Sequence, residues 1–243
     1  SLALSSAAIW FAGMIGALSN NGVGVAGLSW NSFILPVRVL GKCGGTDSDI
    51  ITGMRWAAGL HVNGVPDNPT PARILNMSLG AASPCEPSYL DVIEELTELK
   101  VLVVISAGNE GTVVGSPANC PGVAAIAAIR HAGSKVGFSN LGPEVAIAAP
   151  GGNCVNVGGG PCLFSLDTTS NNGTTNPTTN TYTSQTNFNL GTSFSAPIVS
   201  GGWRCMVRPV FVTKSTPLAL TGSKTIGSNA GVEAAAGASV AAR

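Results

Sequence analysis

Ser193 stands in the stretch Gly191-Thr192-Ser193-Phe194-Ser195-Ala196-Pro197. The glycine permits a sharp entry, Ser193 opens a helix, and Pro197 falls in the early turns, where a missing N–H is tolerated. A serine held there has helix-end amides beside its oxygen. Such amides stabilise the negative oxygen that develops when a hydroxyl attacks a carbonyl. A second stretch, Val103-Val104-Ile105-Ser106-Ala107-Gly108-Asn109, reads as a buried strand running into a glycine-flanked asparagine, whose NH₂ group is the second donor an oxyanion hole requires. A third, Leu75-Asn76-Met77-Ser78-Leu79-Gly80, is a strand that ends in glycine and offers backbone to an extended peptide. Read singly, the second and third are a turn and a core strand, whereas the first favours the nucleophile over its alternative, a plain helix cap. Neither histidine adds a base: His61 closes a predicted helix and His131 sits in an Arg-His-Ala-Gly turn, both surface positions.

The elements that must position these groups follow from periodicity. Runs of apolar and β-branched residues at 33–40, 73–78, 101–106, 123–129 and 145–149 predict buried strands. Between them, 49–60 places Ile50, Met54, Ala57 and Ala58 on one helical face, and 89–99 does the same with Tyr89, Val92, Ile93, Leu96 and Leu99. Strands alternating with helices predict a mostly parallel sheet covered by helices on both faces. The Thr-, Asn- and Ser-rich segment 168–189 predicts a surface excursion or a short hairpin. The segment 214–243 lacks a sustained apolar stripe, and frayed or disordered chain is expected there. Residues 1–202 are read as one domain and 203–243 as an aberrant or disordered tail.

The chain has 243 residues, 44% of them apolar and 10% charged, with twelve basic residues balancing twelve acidic ones. That balance gives no footing for nucleic acid or for an anionic membrane surface. The apolar opening, Ser5-Ser6-Ala7-Ala8-Ile9-Trp10-Phe11-Ala12-Gly13-Met14-Ile15-Gly16, has no basic residue ahead of it as a secretion signal requires. It is also broken by glycines well short of the ~20 residues a bilayer span needs, so it reads as a piece cut from a longer precursor. Six cysteines, none in a Cys-x-x-Cys pair and none spaced with histidine for zinc, fit disulfides in an oxidising compartment better than a metal site.

In this order the three segments closely resemble the subtilisin-like serine peptidases, particularly the secreted bacterial subtilases with cysteines. Segments 21–27, 35–40 and 138–143 are similar to that family as well, and the resemblance runs from about residue 7 to about residue 202. It implies a subtilisin-like α/β fold and a serine endopeptidase acting through an acyl-enzyme. Ser193 would be the nucleophile and Asn109 the oxyanion donor, with Ser78, Leu79, Gly80, Ser106, Ala107 and Gly108 framing the substrate. A peptide or protein substrate, an extracellular setting and a monomer are the expected partners and state. The same resemblance exposes departures. Where the family places its general-base histidine this chain has Ala7, and Ile198 replaces a second histidine after the nucleophile motif. The orienting aspartate is expected upstream of residue 1, so the fold is read as truncated at its front, with an exposed sheet edge where a central strand is missing. After Gly202, Arg204 and Arg208 enter a helix that is apolar in relatives. Bridges Cys43–Cys85 and Cys120 with Cys154 or Cys162 are implied, and Cys205 has no assured partner. Structural calcium is the family's usual ion, yet Asp47 and Asp49 read as caps of the following helix and Asp167 as isolated, so no cofactor is evident. Negligible peptide hydrolysis is therefore expected of the chain as given. The alternatives are a non-catalytic peptide-binding pseudoenzyme and a gene fragment without function.

Overall fold

The computed structural model describes residues 2–41, 44–152, 166–173, 178–183, 190–207 and 239–242. A six-stranded sheet is built from β1 (Ile34–Val37), β2 (Ile74–Met77), β3 (Leu102–Ser106), β4 (Ala124–Ile129), β5 (Val145–Pro150) and β8 (Ser239–Ala242), in the order β1-β8-β2-β3-β4-β5. The run from β2 to β5 is parallel, as the alternation of strands and helices predicts. β8 is antiparallel to both of its neighbours. The sheet edge expected to stand open is therefore closed, among the described residues, by a segment expected to be disordered.

Helices cover both faces. On one face α2 (Asp47–Ala57) and α3 (Pro87–Glu98) pack Met54, Tyr89, Val92, Ile93 and Leu96 against Leu75, Met77, Val103 and Ile105. Each such side chain, fully buried, contributes about 1.5–3 kcal/mol of transfer free energy. The helices start earlier than periodicity suggests because their caps lie outside the apolar stripe. Thr46 caps α2, accepting from the Asp49 amide at 3.1 Å while its hydroxyl donates to Asp49 Oδ2 at 2.9 Å. Neither aspartate is the cap. Asp47 Oδ1 instead accepts from the Tyr89 hydroxyl at 2.8 Å, and that bond together with burial pushes the phenol pKa well above its ordinary range, burial being the larger cause. Arg55 and Glu95 tie the two helices through paired bonds of 2.8 and 2.6 Å.

On the opposite face lie α1 (Leu2–Gly16) and α4 (Thr192–Val207). The apolar opening stretch is thus a helix of 15 residues, about 22 Å long, buried against α4 and the sheet through Phe11, Met14 and Ile15. No helix among the described residues is long and apolar enough to cross a membrane. The Thr- and Asn-rich segment forms a hairpin of β6 (Thr169–Asn171) and β7 (Asn180–Tyr182). It is anchored rather than merely draped over the surface. Thr168 is fully buried, and the Thr168 and Thr169 hydroxyls donate to the carbonyls of Trp10 and Ile9 at 2.7 and 2.9 Å. That approach requires Gly13, where a Cβ would lie 2.1 Å from Thr169 Oγ1.

Two expected cysteine pairings need correction. Cys85 pairs with Cys120 (Cα–Cα 5.0 Å), not with Cys43, and Cys120 is therefore not bridged to Cys154 or Cys162. The loops leading into α3 and β4 bring the two sulfurs together, a proximity that spacing alone does not encode. Cys43, Cys154 and Cys162 lie outside the described residues. α4 runs past Gly202 to Val207, and residues 208–238 of the expected tail lie outside the described residues. The Cys85–Cys120 bridge closes a sequence separation of 35, and entropy of the unfolded loop then implies about 3–4 kcal/mol of stabilisation. A Cys85→Ser/Cys120→Ser variant is expected to lose that much in chemical denaturation.

Candidate functional site

The parallel strands β2, β3 and β5 all end at the same edge of the sheet, and the start of α4 is held against their carboxyl ends. Gly191 takes φ +141, a backbone conformation suited to glycine, and its amide donates to Gly151 O at 2.8 Å just beyond β5. Ser195 Oγ donates to Pro150 O at 3.2 Å. From β3, Gly108 N donates to Thr192 Oγ1 at 3.2 Å, while Asn109 Oδ1 accepts from the Thr192 amide at 2.8 Å and its hydroxyl at 3.0 Å. The exposed Asn109 carboxamide therefore meets the residue immediately before Ser193, which is itself half-buried in the first turn of α4.

From β2, Ser78 Oγ donates to the Ser193 carbonyl at 2.8 Å. The reason lies in the helix. Pro197 is inside α4, and the N–H it lacks is the one that would have bonded the carbonyl four residues back, at Ser193. Its position is thus tolerated through Ser78 rather than because early turns need no donor. Ser78 in turn accepts from Asn76 Nδ2 at 3.2 Å, and Asn76 Oδ1 accepts from Ser200 Oγ at 3.0 Å. Asn76 and Ser200 are fully buried.

Of the other predicted site residues, Leu79 is half-buried and Gly80 exposed beyond β2, while Ser106 and Ala107 are buried at the end of β3. Met77 pairs with Ile105, so segments 78–80 and 106–108 leave the sheet side by side. Gly108 has φ +108, and a Cβ there would lie 2.3 Å from Asn140 Nδ2. Asn140 organises the loop from below: its Oδ1 accepts from the amides of Glu110 and Thr112, and its Nδ2 donates to Glu110 Oε2 at 2.7 Å. Glu110 Oε2 also accepts from Asn109 N at 2.9 Å. Thr192 and Asn140 were not singled out from sequence. Both stand inside segments that carry the family resemblance, and only the fold reveals what they hold. Ala7 lies on α1, one turn before Trp10 and Phe11, which pack on Phe194 with ring centroids 6.0 and 5.4 Å away.

Neither histidine joins the site. His131 is exposed in the turn at 130–133. His61 lies past the end of α2, exposed, with Nδ1 2.7 Å from Asp67 Oδ1. Hydrogen bonding to Asp67, then its charge, raises the imidazole pKa. Among the described residues no three His, Cys, Asp or Glu side chains gather as a metal site requires. The carboxylates nearest that purpose are engaged otherwise, Asp47 by Tyr89 and Asp49 by Thr46.

The sequence profile of the subtilase family matches residues 9–207. The chain is 43% identical over 192 residues to an extracellular basic protease of Dichelobacter nodosus, which covers 78% of this chain and 29% of that protein. It is 40% identical over 211 residues to an extracellular protease of Xanthomonas campestris, covering 86% of this chain and 33% of that one. The chain thus spans about a third of the length of these relatives. A solved protease structure from Pseudoalteromonas arctica superimposes with a TM-score of 0.71 at 38% identity, covering 79% of this chain and 55% of that one.

Two outcomes test the geometry. Ser78→Ala is expected to cost about 1–3 kcal/mol by orphaning a carbonyl. The loss should shrink by about 1 kcal/mol in a Pro197→Ala background, where residue 197 regains its N–H, a coupling read from denaturation of the double-mutant cycle. In an NMR titration His61 should titrate above the ordinary histidine value, and Asp67→Asn should abolish the rise. Because the folded pKa is the higher, the pair's contribution to stability is present at low pH and lost as pH rises through that value.

Proposed function

Because the chain belongs to the subtilase family, we propose that its site is that of a serine endopeptidase reduced to its nucleophile and oxyanion half. Ser193 is assigned the nucleophile, and Asn109 Nδ2 with the Ser193 amide the oxyanion donors. Segments 78–80 and 106–108 are assigned to an extended peptide or protein substrate, and residues 1–202 to the peptidase-like unit. The observation that carries the reading is the Asn109 carboxamide bonded to Thr192 at the start of α4. Acyl transfer would proceed by attack of Ser193 Oγ on the scissile carbonyl, with the tetrahedral oxygen facing those two donors, and by collapse that breaks the C–N bond and expels the amine, which takes up the proton the hydroxyl gives away.

The step that lacks a group is proton removal. A serine hydroxyl must lose its proton to an adjacent base as the new bond forms, and the residue at the family's base position is Ala7. In subtilisin itself, deletion of the catalytic histidine lowers turnover by about 10⁶, equivalent to about 8 kcal/mol of transition-state stabilisation. The chain as given is accordingly proposed to hydrolyse peptides negligibly. A second reading, peptide binding without catalysis, draws on the two segments leaving the sheet in parallel. Secretion is proposed on the names of the relatives and on the Cys85–Cys120 bridge.

With a chromogenic peptide, the purified chain is expected to turn over about 10⁶-fold below an intact subtilase. Turnover at the intact level, abolished by Ser193→Ala, would overturn the proposal. Saturable binding of an N-blocked peptide with apolar side chains, unchanged in Ser193→Ala, is the outcome expected of the peptide-binding reading. Absence of any cooperative thermal transition would point instead to a fragment without function.

A further inference from the structure

Among the described residues, β8 is the one strand of the sheet that runs against its neighbours, and it is set between two of them rather than at an edge. Its four residues pair with β1 and β2 at once: Ala242 faces Ile34 and Ile74, Ala241 faces Leu35 and Leu75, Val240 faces Pro36 and Asn76, and Ser239 faces Val37 and Met77. Since β8 is antiparallel to both, β1 and β2 are parallel to each other and separated by the width of one strand. Among the described residues, β1 has no other ladder in this sheet. β2 is buried at all four positions, where an unpaired N–H or C=O costs as much as a lost hydrogen bond.

We propose that the slot between β1 and β2 is an acceptor site for one extended peptide strand, filled by the chain's own Ser239-Val240-Ala241-Ala242 as an exchangeable clasp. Recognition is by main chain. The inserted residues are small or β-branched, as a site read through backbone bonds with little side-chain selection demands. Pro36 refines the ladder. Having no N–H, it is tolerated only where none is called on, which leaves the N–H and C=O of Val240 to serve Asn76 on β2. β8 also touches α1 and α4, so the clasp ties the edge of the sheet to the helical layer that carries Ser193. The ligand class is an extended segment of small and β-branched residues, and the chain's own sequence is the occupant.

The test uses the full chain and hydrogen exchange read by mass spectrometry. In the unaltered protein, amides of Ile34, Leu35 and Val37 and of 74–77 should be protected together. Val240→Pro removes the donor to β2, and is expected to speed exchange in both segments by about tenfold or more. A synthetic peptide with the sequence of residues 236–243, added to the Val240→Pro protein, should restore that protection. The same peptide carrying proline at the position of Val240 should not. Unchanged protection in Val240→Pro would overturn the clasp. Lost protection, or a chain that fails to fold, without recovery on adding the peptide would overturn the exchangeable acceptor site.

Discussion

The start of α4 depends on a carbonyl that its own helix cannot satisfy. Pro197 removes the donor that Ser193 O would receive, and the missing bond is supplied from β2 by Ser78. A buried orphan carbonyl costs about 1–3 kcal/mol, so this single exchange makes the helix position conditional on the end of a strand. The dependence then spreads. Ser78 is itself held by Asn76, and Asn76 by Ser200 two turns further along α4. The chain of bonds begins and ends on the same helix and passes through β2, which fixes both the depth of α4 and its rotation about its axis. Hydrogen bonds among fully buried groups in a low-dielectric interior hold geometry tightly, because any displacement leaves a polar atom without a partner.

The opposite side of that helix start is held by different physics. Thr192 is gripped by Gly108 and Asn109, and the loop that carries them is pinned by Asn140 from beneath. Gly108 is required for this, since its positive φ and the closeness of Asn140 leave no room for a Cβ. Below the polar contacts, Phe194 is buried against Trp10 and Phe11 of α1. The rings bury apolar area and set the distance between the two helices, while β6 reaches over Gly13 to bond the carbonyls of Ile9 and Trp10. The apolar opening of the chain is thus explained by packing on α4.

What was legible in the sequence and what was not divide along physical lines. Buried parallel strands and amphipathic helices announce themselves because burial on a fixed face forces a period, and β1 to β5, α2 and α3 were each read to within a few residues. α1 gave no such signal. It is apolar around its whole circumference, with no acidic residue in its first turn and no basic one in its last, so neither periodicity nor caps marked it as a helix. β8 consists of small residues whose pairing is made by main chain over a long sequence distance, a contact that composition does not register. The Cys85–Cys120 bridge was misassigned because connectivity follows from which loops meet. In the candidate site, Ser193 and Asn109 were readable as chemical types, whereas Thr192 and Asn140 hold other residues in place, and such a role is visible only once the partners are adjacent.

The supports of the site divide in the same way between strand ends and α1. Among the described residues, the bonds that position the start of α4 come from the ends of β2, β3 and β5 or from α4 itself. None of them involves residue 7. The turn that carries the hydroxyl and the carboxamide beside it are thus held by strand ends rather than by α1. The contribution of α1 is the apolar seat it offers Phe194, and an alanine-rich turn ahead of Trp10 preserves helix propensity while leaving that seat intact. The architecture of the helix start therefore requires only that strand ends and α4 keep satisfying one another.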